Sequence, residues 1–389
     1  MTEQIYLDYA ATTPLDSRVL TAMTPYFSDI FGNPSSVHRY GQRAEAAVES
    51  ARETVAGVLN CDPDEIIFTS GGTESDNLAV RGAALARRDA TGANYLHTSK
   101  TEHPAIGKTM QELKKRHNFD LEWLDNDPAG QVAAQNVETS LRNESALVSV
   151  IYANNEIGTI NPLSEIAAVC RQRGILFHTD AVQAAAYLSL DVQALGVDLM
   201  SLGGHKLYGP KGIGALYIRK GVALIPMQTG GGHEHGLRSG TQNVPLIVGF
   251  AAALRLATDE REARVAHIRP LRDEIIGTVL KTIPNTQLTG HAETRLPNHA
   301  SFAFKDVDGN LLLTLLDGAG FACSSGSACK TGNPEPSEVL TAIGLPREWG
   351  LGSLRVTLGM GSTPAQVDAF VKTLPSLVEK ARAIHKNQQ

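Results

Sequence analysis

"EIIFTSGGTESDNLAVRGAAL", Glu65 to Leu85, reads as a strand, a glycine turn and a helix. Glu65–Thr69 is short and apolar, and Gly71 and Gly72 end it. From Thr73 onward, Leu78, Ala79, Ala83 and Leu85 fall near helical spacing. Before this unit, Val48, Ala51, Val55 and Val58 predict another helix starting about Ala44. After it the alternation continues. "ALVSVIYA" (Ala146–Ala153) is an apolar run followed by the polar "NNEIGTINP", and a helix is expected over about Leu163 to Arg173. "ILFHTDA" is a strand ending at Asp180, and "VDLMSL" (Val197–Leu202) is one running into "GGHKLYGPKG". Buried strands alternating with helices predict an α/β fold with a parallel sheet. Ligands of such sheets bind beyond the carboxyl ends of the strands. Thr69–Thr73, Asn154–Asn155, Asp180–Gln183 and Gly203–Lys206 all fall at such ends. After about Ala257 the chain turns more charged and helical, as a second domain would.

The bulk properties narrow the function classes. A length of 389 residues is enough for two domains with sizeable cores. With 42% hydrophobic and 20% charged residues, the composition is that of a soluble globular protein. A net charge of -6 is the opposite of a nucleic-acid footprint, so no nucleic-acid partner is expected. Apolar runs fall short of membrane-spanning length, and "MTEQIYLDYAATTP" has neither a basic nor an apolar leader region. No membrane partner and a cytoplasmic location are therefore expected. Four cysteines, Cys61, Cys170, Cys323 and Cys329, are too few for a disulfide framework.

The strand ends carry reactive residue types. Gly71, Gly72 and Thr73 open a helix, which suits a phosphate as well as it suits a capped tight turn. Asp180 closes an apolar strand with Gln183 just beyond, so it is either an N-cap or a partner for a pyridinium nitrogen. Lys206 stands beside His205 after two glycines, as a surface charge or as a Schiff-base lysine in a restricted pocket. Phosphate site, pyridinium partner and lysine together are what pyridoxal 5'-phosphate needs. His103 in "SKTEHPAI" is a structural histidine or a proton carrier beside a coenzyme ring. "GGGHEHGLRSGTQN" (Gly230–Asn243) is a flexible loop or a phosphate binder. Arg355 in "SLRVTLG" is an ion pair of the fold or a clamp for a substrate carboxylate. Cys329 lies in "SSGSACKTGNPEPS" (Ser324–Ser337), among turn formers and small residues that cannot pack it into a core.

These motifs, with "YLDYAATTP", "FGNPSSVHRYG" and "NNEIGTI", stand in the order seen in NifS/IscS-type cysteine desulfurases. The chain resembles that family from about Tyr6 to its last helix. The resemblance implies a fold-type I, aminotransferase-like homodimer: residues 15–257 as the large domain, and 1–14 with 258–389 as a smaller α+β domain. It implies that Lys206 is the Schiff-base lysine, that Asp180 meets the pyridine nitrogen and that Gln183 meets the phenolic oxygen. His103 would stack on the ring and move protons. Gly72, Thr73, Gly203 and His205 would surround the phosphate, with Thr241 reaching it from the partner subunit. Asn155 and Arg355 would hold the substrate carboxylate. Cys329 would take the sulfur of L-cysteine as a persulfide and pass it to an acceptor, such as an iron–sulfur scaffold or a thiolation enzyme. The alternatives are a selenocysteine lyase or other enzyme of the same fold, or a catalytically weak sulfur-transfer scaffold. Cys323, Cys61 and Cys170 are expected to be structural or incidental.

Three departures from the family stand out. Gly203 replaces the usual serine of the phosphate loop, and His235 replaces a common arginine. The ending "VEKARAIHKNQQ" lacks the longer tail by which IscS-like enzymes engage their scaffold, so that docking mode is not expected.

Overall fold

The strand opening the decisive stretch is apolar on both faces because it is covered on both: Ile66, Ile67 and Phe68 are all buried. In the computed structural model, which describes residues 4–325 and 335–386, twelve strands fall into three sheets. In chain order they are β1 (Ile5–Tyr6), β2 (Ile66–Thr69), β3 (Tyr95–Ser99), β4 (Asp120–Leu124), β5 (Ser145–Ser149) and β6 (Leu176–Asp180). Then follow β7 (Leu199–Gly203), β8 (Gly214–Ile218), β9 (Thr286–Leu288), β10 (His299–Phe304), β11 (Phe321–Ala322) and β12 (Ser353–Thr357).

The main sheet has seven strands in the order β2-β8-β7-β6-β5-β3-β4. It is parallel from β7 to β4, as the alternation predicts. The difference lies in β8, which pairs antiparallel with both β7 and β2. Two reversals restore direction, so β2 ends on the same edge as β7. The convergence of strand ends therefore survives. Helices run Arg39–Leu59, Gly72–Thr91 and Leu163–Gln172, close to expectation. The first begins several residues before Ala44, capped by the His38 imidazole, which accepts from Gly41 N–H.

β2 is an edge strand, and unpaired edge groups need partners. Side chains supply them. Arg52 donates to Ile66 C=O (2.6 Å), and Glu234 accepts from Phe68 N–H (2.8 Å). Arg52 and Glu234 are themselves a buried pair at 2.9 Å. Glu234 comes from "GGGHEHG", so this part of the glycine-rich segment closes a sheet edge. Arg238, further along it, pairs with Glu74 in the first turn of the Gly72–Thr91 helix. The segment is thus tied down at both places.

The rest of the chain builds a three-stranded antiparallel sheet, β12-β10-β9, and a parallel pair, β1 with β11. The N-terminal strip thereby joins the C-terminal third, then runs on across the carboxyl edge of the main sheet. No described helix is long and apolar enough to cross a membrane.

Candidate active site

The carboxyl edge is where the strip and the strand ends meet. After β7, a short turn over Gly204–Lys206 carries Lys206 under the strip, and its Nζ donates to the carbonyls of Ala10 and Ala11, both at 2.6 Å. The same strip receives Gln183 Nε2 at Ala10 C=O (2.9 Å) and places Thr12 Oγ1 3.1 Å from His205 Nδ1. Burial first, then the Arg355 charge, pulls the Lys206 amine down to about 8. Burial with Lys206 and Lys211 nearby lowers His205 to about 4, so its ring is neutral at pH 7.

Asp180 ends β6 and is buried; its Oδ1 accepts from Val182 N–H at 2.9 Å. Burial raises its pKa, while the His103 and Lys206 charges draw it back. The N-cap reading of Asp180 is thus partly right, since it caps the turn and still faces the site. His103 is likewise used as a cap. Its Nδ1 accepts from Ala105 N–H (3.2 Å), capping the Pro104–His117 helix. One of its ring nitrogens lies within 4.8 Å of an Asp180 carboxylate oxygen.

Gly71 is the cap of the Gly72–Thr91 helix at φ 152°, a conformation open to glycine, and no side chain caps that end. A Cβ on Gly72 would stand 2.6 Å from a Val182 methyl, which the missing side chain avoids. A 20-residue helix with an uncapped start and a neutral histidine nearby is suited to an anion. Thr73 is exposed at that end. Gly203 has ordinary extended backbone, φ -139° and ψ 134°, and a Cβ there would sit 3.4 Å from Gly72 N.

Arg355 is buried on β12. It donates to Asn155 C=O (2.8 Å) and pairs with Asp8 (2.9 Å), while its Nε has no partner among the described residues. Asn155 Oδ1 is likewise buried without one. Its neighbour Asn154 is spent on structure, accepting from Glu156 and Ile157 N–H and donating to Thr101 C=O. Beside His103 opens a cavity of about 650 Å³, reached by Lys100, Trp123 and Glu156 and by Ser325 and Glu335. Cys329 lies outside the described residues. Thr241 is exposed in the segment before the Val244–Asp259 helix, where its proposed role requires a second copy.

The donor set fits a phosphorylated pyridine aldehyde: an amine drawn toward neutrality, a buried carboxylate and an anion cradle on one edge. The aminotransferase class-V family profile matches residues 5–370. The chain belongs to the class-V aminotransferase family. Within that family it is similar to NifS/IscS-type proteins. It is 43% identical to the cysteine desulfurase IscS of Dictyoglomus turgidum, over 100% of this chain and 98% of that one. It is 44% identical to the cysteine desulfurase IscS of Methanosarcina thermophila, over 97% of this chain and 93% of that one. A solved NifS-like protein superposes with a TM-score of 0.90 at 35% identity, covering 97% of this chain and 100% of that one. A structure of SspA in complex with cysteine gives a TM-score of 0.80 at 36% identity, covering 91% and 99%.

Residues of this class-V chain that the sequence reading did not weigh are Asp8, the Ala10 and Ala11 carbonyls, Glu102 and Asp76. The strip stood out only as a motif, because short strands and carbonyl contacts have no compositional signal. Asp76 did have one: it shares a helix face with Ala79, Val80 and Ala83, all buried.

Proposed function

We propose that the protein is a cysteine desulfurase that uses pyridoxal 5'-phosphate to convert L-cysteine into L-alanine and a persulfide on Cys329. The observation that carries this reading is Lys206, a lysine amine drawn down to about 8 on the same strand edge as Asp180 and His103. When bound, pyridoxal phosphate supplies an electron sink for charge released at the substrate's α-carbon.

The chain's own residues would do the rest. Gly72, Thr73, Gly203 and His205 would hold the phosphate, joined by Thr241 of a second copy in a homodimer. Asp180 would keep the ring nitrogen protonated, Gln183 would serve the phenolic oxygen and His103 would serve beside the ring. Asn155 and Arg355 bind the substrate carboxylate, so the Asp8 contact to Arg355 opens or is shared when L-cysteine enters. Lys206 and His103 move protons at the substrate. The Cys329 thiolate attacks the substrate sulfur. A new S–S bond forms, the C–S bond breaks with its electron pair going to carbon, and that carbon takes a proton to become alanine. The persulfide sulfur then passes to a thiol of an acceptor protein, of the iron–sulfur scaffold or thiolation type. We propose residues 15–257 as the cofactor-binding domain, and 1–14 with 258–389 as the smaller one, in a cytoplasmic enzyme.

Given L-cysteine and a reductant, the loaded protein releases alanine and sulfide in equal amounts. Pyruvate, or amino-group transfer to a keto acid, in place of alanine would replace this reading with another activity of the fold.

Two predictions follow from the cradle and the amine. Only a neutral amine attacks an aldehyde, so uptake of pyridoxal phosphate by the stripped protein speeds up as pH rises through about 8 and levels off above it. Stopped-flow growth of the visible band reads this directly. A pH-independent rate would mean that Lys206 titrates elsewhere. Gly203→Ser introduces a hydroxyl where backbone and space both admit a side chain. It is expected to tighten pyridoxal phosphate binding about tenfold, the value of one hydrogen bond to a charged group. Unchanged or weaker binding would show that this site recovers the bond by other means.

A further inference from the structure

Close to Asp180 lies a second acid for which the reaction above has no use. Asp76, one turn into the Gly72–Thr91 helix, is 1% exposed. One carboxyl oxygen from each acid and one ring nitrogen of His103 lie within 4.8 Å of one another. Two carboxylates this close and out of water do not both ionise, and they titrate as a pair.

The surroundings decide which of them keeps the proton. From β6, His178 Nε2 stands 3.8 Å from Asp76 Oδ1. Burial lowers that imidazole to about 3, so it brings no charge, and its nitrogens face Ser149 Oγ (2.8 Å) and Ser201 Oγ (3.0 Å). From β7, Ser201 acts the other way and draws the Asp76 carboxyl down, against the larger effect of burial and of Asp180. Glu102, buried beside His103, is a further acid, pushed up to about 8 chiefly by burial. The charge acting on Asp76 is chiefly that of Asp180, of its own sign, whereas Asp180 has His103 and Lys206 in its favour. Asp76 Oδ1 has no hydrogen-bond partner among the described residues. A buried carboxylate oxygen left bare is costly; a protonated carboxyl with a nearby acceptor is not.

We propose that Asp76 is a positioning residue: it keeps its proton and offers it to Asp180, so that a single, oriented carboxylate faces the ring nitrogen of the cofactor. The proposal rests on the pyridoxal phosphate reading above. It gives the asymmetric pair a purpose. Asp180 carries the charge, and Asp76 supplies a neutral donor that fixes it in place.

The test uses full-length protein, first stripped of cofactor and then loaded with pyridoxal phosphate. In the stripped protein at neutral pH, the infrared spectrum contains a protonated-carboxyl carbonyl band that is lost in Asp76→Asn. Asp76→Ala weakens pyridoxal phosphate binding by about tenfold or more, the loss of a hydrogen bond to a charged group. It also moves the pH at which the visible band changes. Asp76→Asn, which retains an N–H donor, recovers both. An infrared difference lacking the band means that Asp76 is ionised, and the proposal falls. It falls equally if Asp76→Ala binds and titrates like wild type, or if Asp76→Asn is as weak as Asp76→Ala. Should Asp76→Ala not fold, the infrared difference and Asp76→Asn binding still decide. Failure of the parent reading looks different, because wild type itself would then not take up pyridoxal phosphate.

Discussion

Lys206→Ala is expected to lose both the visible cofactor band after dialysis and alanine release from L-cysteine. The amine is held by the Ala10 and Ala11 carbonyls and drawn down to about 8, so it is close to the neutral form needed to bond an aldehyde. In the proposed reaction it also moves a proton at the substrate. Proton transfer alone is worth about 10²–10⁴-fold, and loss of the covalent anchor adds to it, so activity falls by at least about 10³-fold. Lys206→Arg keeps the charge under the strip and the carbonyl contacts, yet cannot form the bond, so it is equally inactive. If either variant kept the dialysis-resistant band, another amine would hold the cofactor and the site would be misassigned.

The second large effect belongs to the thiol. Cys329→Ala keeps the visible band, because the residues proposed to hold the cofactor are all retained, but it stops releasing alanine and sulfide. Cys323→Ala is the matched control, six positions away. Burial, with Asp8 beside it, pushes the Cys323 thiol far above its ordinary value, so it stays protonated and is a poor nucleophile. That variant turns over at the wild-type rate. Cys61 and Cys170 are also pushed up to about 12 by burial and nearby acids. The described cysteines are therefore all unsuited to attack at neutral pH, as the role proposed for Cys329 requires. Alanine release by Cys329→Ala at the wild-type rate would instead favour a lyase, in which the thiol is dispensable.

Much of this site was legible because its strands are buried on both faces and stop at glycines. Asp180, Gly203 and Lys206 could be placed at strand ends from apolar run lengths alone. The antiparallel β8 was not legible: "GALYI" is one more short apolar run, and periodicity says nothing about direction. Nor was the use of Glu234 to close the β2 edge, since a buried ion pair spanning 182 residues has no local signature. The structural readings of Asp180 and His103 are both seen, since each caps its own chain, and capping leaves each free for the role proposed for it. Arg355 shows the same economy: it makes an ion pair with Asp8 and retains an unpartnered Nε. Asp76 was overlooked because an aspartate in a helix is ordinarily a solvated one.

The measurement that bears most directly on the account is the mass of the peptide containing Cys329, after the loaded protein has met L-cysteine without reductant. The account predicts that this peptide gains one sulfur atom, in step with alanine released, and that the peptides of Cys61, Cys170 and Cys323 gain none. Alanine released without added sulfur on Cys329, or sulfur found on Cys323 instead, would contradict it.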